Sequence, residues 1–247
     1  MCYNISIFRT KEELELRFKA KFSNPQDYNQ YYHVSSFSLP HLPVITNEDP
    51  DHIQFYSWGI IPPWIKNRDE AEKIRIKTMN ARSESIFEKP SFRHAAKNNH
   101  CLVIADGFFE WHHYHGRKYP YYLRLKTHDA FAFAGLYESW EDPASANKIQ
   151  TFSIVTTQAN PLLEKIHNTK KRMPVILPKH LEKFWISQSI SQEKMKQLLV
   201  PYDESEMEAY TISRLITARN QNNNSPQVIT PYTYPELKTS NSQTTLI

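Results

Sequence analysis

Only two of the 247 residues are cysteine, and they lack metal-ligand spacing. That excludes a disulfide framework and a zinc site and fits a reducing compartment; neither a metal nor a cofactor is expected. No continuous apolar run is long enough to cross a bilayer, and the N-terminus lacks the basic and then apolar regions of a secretory signal. A soluble, cytoplasmic chain without a membrane partner is therefore expected. The charge excess is small, +4, which permits a polyanionic partner without requiring one. No internal repeat or low-complexity linker divides the chain. What is plentiful is core material, with 40% hydrophobic and 13% aromatic residues. One domain over residues 1–235 is expected, followed by a flexible polar tail over 236–247. Nothing marks an oligomeric interface, and a monomer is expected.

Thr10 with Glu13 makes a capping box, and Leu14, Phe18 and Phe22 recur at helical spacing, which predicts an amphipathic helix over 10–22. Runs rich in strand formers follow at 52–61, 100–111, 119–126, 130–140, 150–157 and 208–216. Cys101, inside one of them, reads as a buried strand residue. Two short helices are predicted around Leu181, Phe184 and Trp185 and around Met195, Leu198 and Leu199. This order indicates an α+β domain and not alternating βαβ units.

Cys2 directly follows the initiator methionine. Removal of Met1 would leave an amine and a thiol on adjacent carbons. An unperturbed terminal amine, at roughly 7.7–8.0, is neutral at pH 7 far more often than a lysine near 10.4, and only the neutral amine attacks a carbonyl. The neighbouring thiol could then close on the imine to give a five-membered thiazolidine. Taken alone, Cys2 reads more readily as an incidental terminal residue.

Four further segments stand out: Trp58 to Trp64 (WGIIPPW), Asn80 to Glu84 (NARSE), Ala105 to Trp111 (ADGFFEW), and Ile166-His167 with Arg172 to Leu177 (RMPVIL). With Cys2, and in this order along nearly the whole chain, they resemble the SOS-response-associated peptidase (SRAP) family of abasic-site processing proteins. The resemblance implies a single sheet-rich α+β domain with a mixed, largely antiparallel, barrel-like β core and short flanking helices. It implies an abasic-site sensor that binds single-stranded DNA, loses Met1 by self-processing, and links Cys2 covalently to the ring-opened sugar through lyase-type imine chemistry. The lesion would be shielded during the DNA damage response, in the cytoplasm at the nucleoid. Two departures accompany the match. Tyr3 and Asn4 stand where the family usually has Gly-Arg, and His167 and Arg172 are farther apart than usual.

The implied catalytic residues are Cys2, Asn80, Glu110 and His167. Glu110 lies among Phe108, Phe109 and Trp111, which would raise its pKa toward the range of proton transfer if they desolvate it. The strand pattern leaves equally open a glutamate on a polar face. His167, with an ordinary pKa near 6.5, could protonate the sugar ring oxygen; as a lone histidine it could equally be structural. Asn80 suits positioning, having no charge to titrate. The implied DNA contacts are Arg82, Trp64, Lys170, Lys171, Arg172 and Arg214. Arg82 would share a face with Asn80 in an extended segment and offers a planar fork for phosphate, or else forms a surface ion pair with Glu84. Trp64 could stack on a base or be a core anchor, whereas Trp58 is expected in the core. The cationic residues would recognise backbone and not sequence, or are simply a solvated face. Two readings compete with the implied function: an amidohydrolase of the glutamine amidotransferase type, with a terminal cysteine nucleophile, and a passive single-strand binding protein. The first would need glycine-rich substrate loops that four glycines do not supply. A general cysteine protease has the least support.

Overall fold

Strands hold more of the described residues than helices do, and the longest arise where β-branched and aromatic residues are dense. The computed structural model describes residues 2–218 and 221–238. Its strands are β1 (Asn4–Ile7), β2 (Lys21–Phe22), β3 (Tyr31–Ser35), β4 (His41–Thr46), β5 (His52–Trp58), β6 (Asn80–Arg82), β7 (His100–Ala105), β8 (Gly107–Tyr114), β9 (Arg117–Leu125), β10 (Phe131–Glu141), β11 (Lys148–Gln158), β12 (Arg172–Pro174), β13 (Ile176–Leu177) and β14 (Met207–Thr211). The helices are α1 (Lys11–Phe18), α2 (Arg68–Arg75), α3 (Ala95–Asn98), α4 (Pro161–Ile166), α5 (Glu182–Trp185), α6 (Gln192–Leu198) and α7 (Pro235–Lys238).

Five strands close into a barrel. The order β11-β10-β7-β4-β5 runs through antiparallel neighbours, and a parallel pairing of β5 with β11, Ser57 opposite Thr151 and Trp58 opposite Phe152, joins the ends. Closure removes the edges that an open sheet would expose. β6 attaches to β11 in parallel. A second sheet, β14-β9-β8-β1-β3, is antiparallel throughout. This is the expected α+β architecture with a mixed, largely antiparallel barrel. Every residue of β7 is buried, Cys101 included, which explains its uninterrupted apolar run.

Three elements differ from the sequence reading. The first helix ends at Phe18, not at residue 22. The capping box forms as expected, with Glu13 N donating to Thr10 Oγ1 at 3.2 Å and Thr10 N to Glu13 Oε2 at 2.8 Å. Lys19 then turns left-handed, and Phe22 reaches the core from β2, which pairs with β5. The run 100–111 is two strands in two sheets. Asp106 makes the break, its carboxylate accepting from Phe8 N at 2.6 Å and Arg9 N at 3.1 Å. The next residue must be small, because a Cβ on Gly107 would lie 2.3 Å from the Tyr122 hydroxyl. The run 208–216 leaves its sheet at Thr211, and Arg214–Thr217 form a 3-10 turn so that Ile212 and Ile216 can pack with Phe109, Tyr122 and Val228. Residues 236–238 of the expected tail belong to α7, where Glu236 accepts from the Tyr119 hydroxyl at 3.1 Å. The rest of that tail lies outside the described residues. No helix among the described residues is long and apolar enough to cross a membrane.

Candidate active site

The register of β1 decides where the start of the chain lies. β1 runs antiparallel to β8 with Ile5 opposite Phe108 and Ser6 opposite Gly107. Continuing that register backwards carries Tyr3 and Cys2 toward Glu110 and Trp111. Cys2 is wholly buried and Glu110 is 4% exposed. Along β8, Phe108 packs into the main core and Phe109 into the smaller cluster. Both faces of the strand are thus covered, and Glu110 is not on a solvated polar face.

Two more elements complete the site. β6 pairs with β11 through Asn80 opposite Ile154, and Asn80 Nδ2 donates to the Cys2 carbonyl at 2.8 Å. Trp58, a core residue as expected, donates from Nε1 to Met79 O at 2.8 Å and so fixes the residue before Asn80. His167 comes from the end of α4, whose first turn is set by Asn160 as N-cap and Pro161 at N1. Its Nδ1 lies 3.7 Å from Glu110 Oε1 and donates to the Arg172 carbonyl at 2.9 Å. A carbonyl only accepts, so Nδ1 carries the proton and Nε2 of the neutral ring is an acceptor. The longer His167 to Arg172 spacing is absorbed by a turn in which Lys171 N donates to His167 O at 2.9 Å.

Burial sets the electrostatics. Desolvation pushes Glu110 up to about 7 and lowers His167 to about 4. It also drives the Cys2 thiol far above its ordinary range, with the Glu110 charge adding to the effect. The usual order of a carboxyl and an imidazole is inverted. Near neutral pH, Glu110 exchanges its proton while His167 stays uncharged, so their 3.7 Å approach is not a fixed ion pair. This corrects the expectation of a His167 titrating near 6.5: the residue poised to give and take a proton at pH 7 is Glu110.

The expected DNA contacts separate into different environments. Arg82 is exposed, shares a face of β6 with Asn80, and makes no ion pair among the described residues. Glu84 is not its partner. It is gripped by Arg172, whose Nη1 and Nη2 reach both carboxylate oxygens while Nη2 also donates to Thr156 O at 2.6 Å. Arg172 is therefore a buried structural cation and not a free phosphate ligand; its carbonyl serves the site by orienting His167. Arg214 is exposed and drawn over the rings of Tyr119 and Tyr234, at 5.7 and 5.8 Å. Lys170 and Lys171 project from the turn after His167, with Lys171 Nζ 3.7 Å from Glu164. Trp64 is 52% exposed and anchored by Nε1 to Pro90 O at 3.3 Å.

Three residues near the site were given no role by the sequence reading. Asn168 clasps β8, accepting from His113 N at 3.1 Å and donating to His113 O at 2.8 Å, and so holds the His167 turn against Glu110's strand. Its adjacency to His167 was the only available cue. Tyr3 and Phe37 face each other with ring centroids 5.2 Å apart. Phe37 lies in a turn that no periodicity marks.

A family model described as SOS response associated peptidase (SRAP) matches residues 1–219. The Bacillus subtilis (strain 168) protein named abasic site processing protein YoqW is 38% identical over 232 residues, spanning 93% of this chain and 99% of that protein. The Gallus gallus protein named abasic site processing protein HMCES is 33% identical over 139 residues, spanning 49% of this chain and 40% of that protein. A crystal structure of a Bacteroides thetaiotaomicron protein superposes with a TM-score of 0.88 at 34% identity, covering 94% of this chain and all of that one. With a family match across most of its length, relatives along the same span and a shared fold, the chain belongs to the SOS response associated peptidase family.

Proposed function

We propose that the chain is an abasic-site sensor that binds single-stranded DNA and captures the lesion as a thiazolidine through Cys2 once Met1 has been removed. The observation that carries this reading is convergence. Cys2, Asn80, Glu110 and His167 are distant in sequence, yet Asn80 holds the Cys2 backbone, and Glu110 meets His167 beside it. The names of the relatives, abasic site processing proteins, point to the same substrate.

Met1 removal hydrolyses one amide, consuming water and releasing methionine. The freed amine adds to the aldehyde of the ring-opened sugar, and the resulting carbinolamine loses its hydroxyl as water. Glu110, whose carboxyl burial pushes up, holds the proton this step needs. The thiol, raised by burial, does not ionise unaided. Dehydration leaves an iminium whose nitrogen keeps its proton; as sulfur adds to the iminium carbon, the thiol proton passes to the Glu110 carboxylate left by the dehydration, and the π electrons return to nitrogen as the lone pair of the ring amine. Capture itself releases one water, with no oxidant or reductant. Asn80 fixes the Cys2 backbone. Neutral His167 presents Nε2 as an acceptor that can orient a sugar hydroxyl. Arg82, exposed on the same face as Asn80, suits a flanking phosphate.

The test is a denaturing gel of the processed protein with a single strand carrying one abasic site, without reductant and beside an intact-base control. A stable shift confined to the abasic strand is expected. No shift, with a free Cys2 terminus and intact abasic sites, would refute covalent capture.

A further inference from the structure

Phe37 is 63% exposed, yet the turn that presents it is tied down on every side. Ser36 N donates to Tyr3 O at 2.8 Å, Leu39 N to Ser36 O at 2.9 Å, and the Ser38 hydroxyl to Ser35 O at 2.8 Å. At the far end, the Ser57 hydroxyl donates to Leu39 O and Trp58 N to Pro40 O, both at 2.9 Å. A large aromatic held outward on a rigid turn gains little from its own fold. Among the described residues its one aromatic neighbour is Tyr3, 5.2 Å away at an interplanar angle of 32°. Tyr3 immediately follows Cys2, and its phenol lies within electrostatic reach of Cys2, Glu110 and Arg82. The next residue, Asn4, points to the other face of β1, where its Oδ1 accepts from His33 Nε2 at 2.9 Å, and brings no charge to this side. The edge of the site here is aromatic, with Arg82 supplying the nearby cation.

We propose that Phe37, backed by Tyr3, is a stacking platform for the nucleobase next to the abasic position. This rests on the proposed function and adds to it a base-binding subsite for the flanking strand. Tyr3 lies against the Phe37 ring and within electrostatic reach of the exposed Arg82 guanidinium, and these two groups match the two things a single strand repeats, a π-face and a phosphate; stacking of this kind tolerates any base. A lesion lacking its own base stacks poorly in solution, so a platform that holds the neighbouring base would position the sugar over Cys2.

The test measures non-covalent binding of a short single strand in which a tetrahydrofuran replaces the abasic sugar, so that no aldehyde is present. Phe37→Ala is expected to weaken binding by about fivefold or more, and Phe37→Trp to retain it. The strand is then remade with a second tetrahydrofuran on the 5′ or the 3′ side. On one side, removal of that base should weaken the wild type as much as Phe37→Ala does and leave the variant unaffected. Salt dependence should be unchanged by Phe37→Ala. Equal binding by wild type and Phe37→Ala, or a loss of the same size with and without both flanking bases, would overturn the platform. The latter outcome would make Phe37 a contact for something other than a base. If the wild type forms the adduct with true abasic DNA while Phe37→Ala binds normally, only the platform fails. If the wild type neither binds nor forms an adduct, both readings fail.

Discussion

Glu110→Gln should separate stability from chemistry. Burial raises the Glu110 carboxyl from an ordinary 4.5 to about 7, which corresponds to about 3 kcal/mol of folding free energy lost on ionising it in place. Below about pH 4.5, folded and unfolded chains both hold the proton and that stability is fully present. As pH rises, the unfolded chain loses its proton first, so stability declines through about pH 7 and then levels. Glutamine resembles the protonated form, keeps an acceptor for the Trp111 N–H and does not titrate. Relative to wild type, Glu110→Gln should therefore gain about 3 kcal/mol at about pH 8 and almost nothing near pH 4. For a chain of this size that is about 6–12 °C in melting temperature. Other buried carboxyls with raised pKa, Asp106, Glu138 and Glu182, are common to both proteins and cancel in the difference. Urea or thermal unfolding of the pair across this pH range reads the effect. Adduct formation by the same variant should fall by about a hundredfold or more, the usual worth of a positioned acid–base group. Parallel stability profiles for the two proteins would show that Glu110 titrates as an ordinary carboxyl, and the acid–base role would go with it.

Cys2→Ala, once Met1 is removed, keeps the amine and loses the thiol, so it should give no persistent adduct but an imine that borohydride traps; an equally persistent adduct without borohydride would rule out the thiazolidine. Arg82→Ala should weaken DNA binding and flatten its salt dependence by about 0.7 in the log–log slope for one phosphate of a single strand. Arg172→Ala should instead lower folding stability by about 1–3 kcal/mol, because Thr156 O and Glu84 lose their donor, and leave the salt slope alone; a flattened slope would return Arg172 to the phosphate contacts. Gly107→Ala forces a Cβ to within 2.3 Å of the Tyr122 hydroxyl, which is itself bonded to Ser6. It should destabilise the chain by about 2 kcal/mol or more, and a melting temperature equal to wild type would contradict that packing.

The sequence by itself determined the residue types at the site and their order, along with most of the long strands, because hydrophobic pattern and local chemistry are written residue by residue. It showed Thr10 and Glu13 as a cap, the apolar run Cys101 to Ala105 in β7, and an amine–thiol pair latent at Cys2. It could not show the break at Asp106, since one apolar run serves either sheet equally well and only contacts with Phe8 and Arg9 select the corner. The partner of Glu84 was equally hidden. Arg82 is two residues away and Arg172 is 88, and chain folding chose the distant one. The inverted pKa order of Glu110 and His167 is likewise a property of burial and not of residue type. Desolvation and strand register act across the whole fold, so only the tertiary structure could turn four scattered residues into one site.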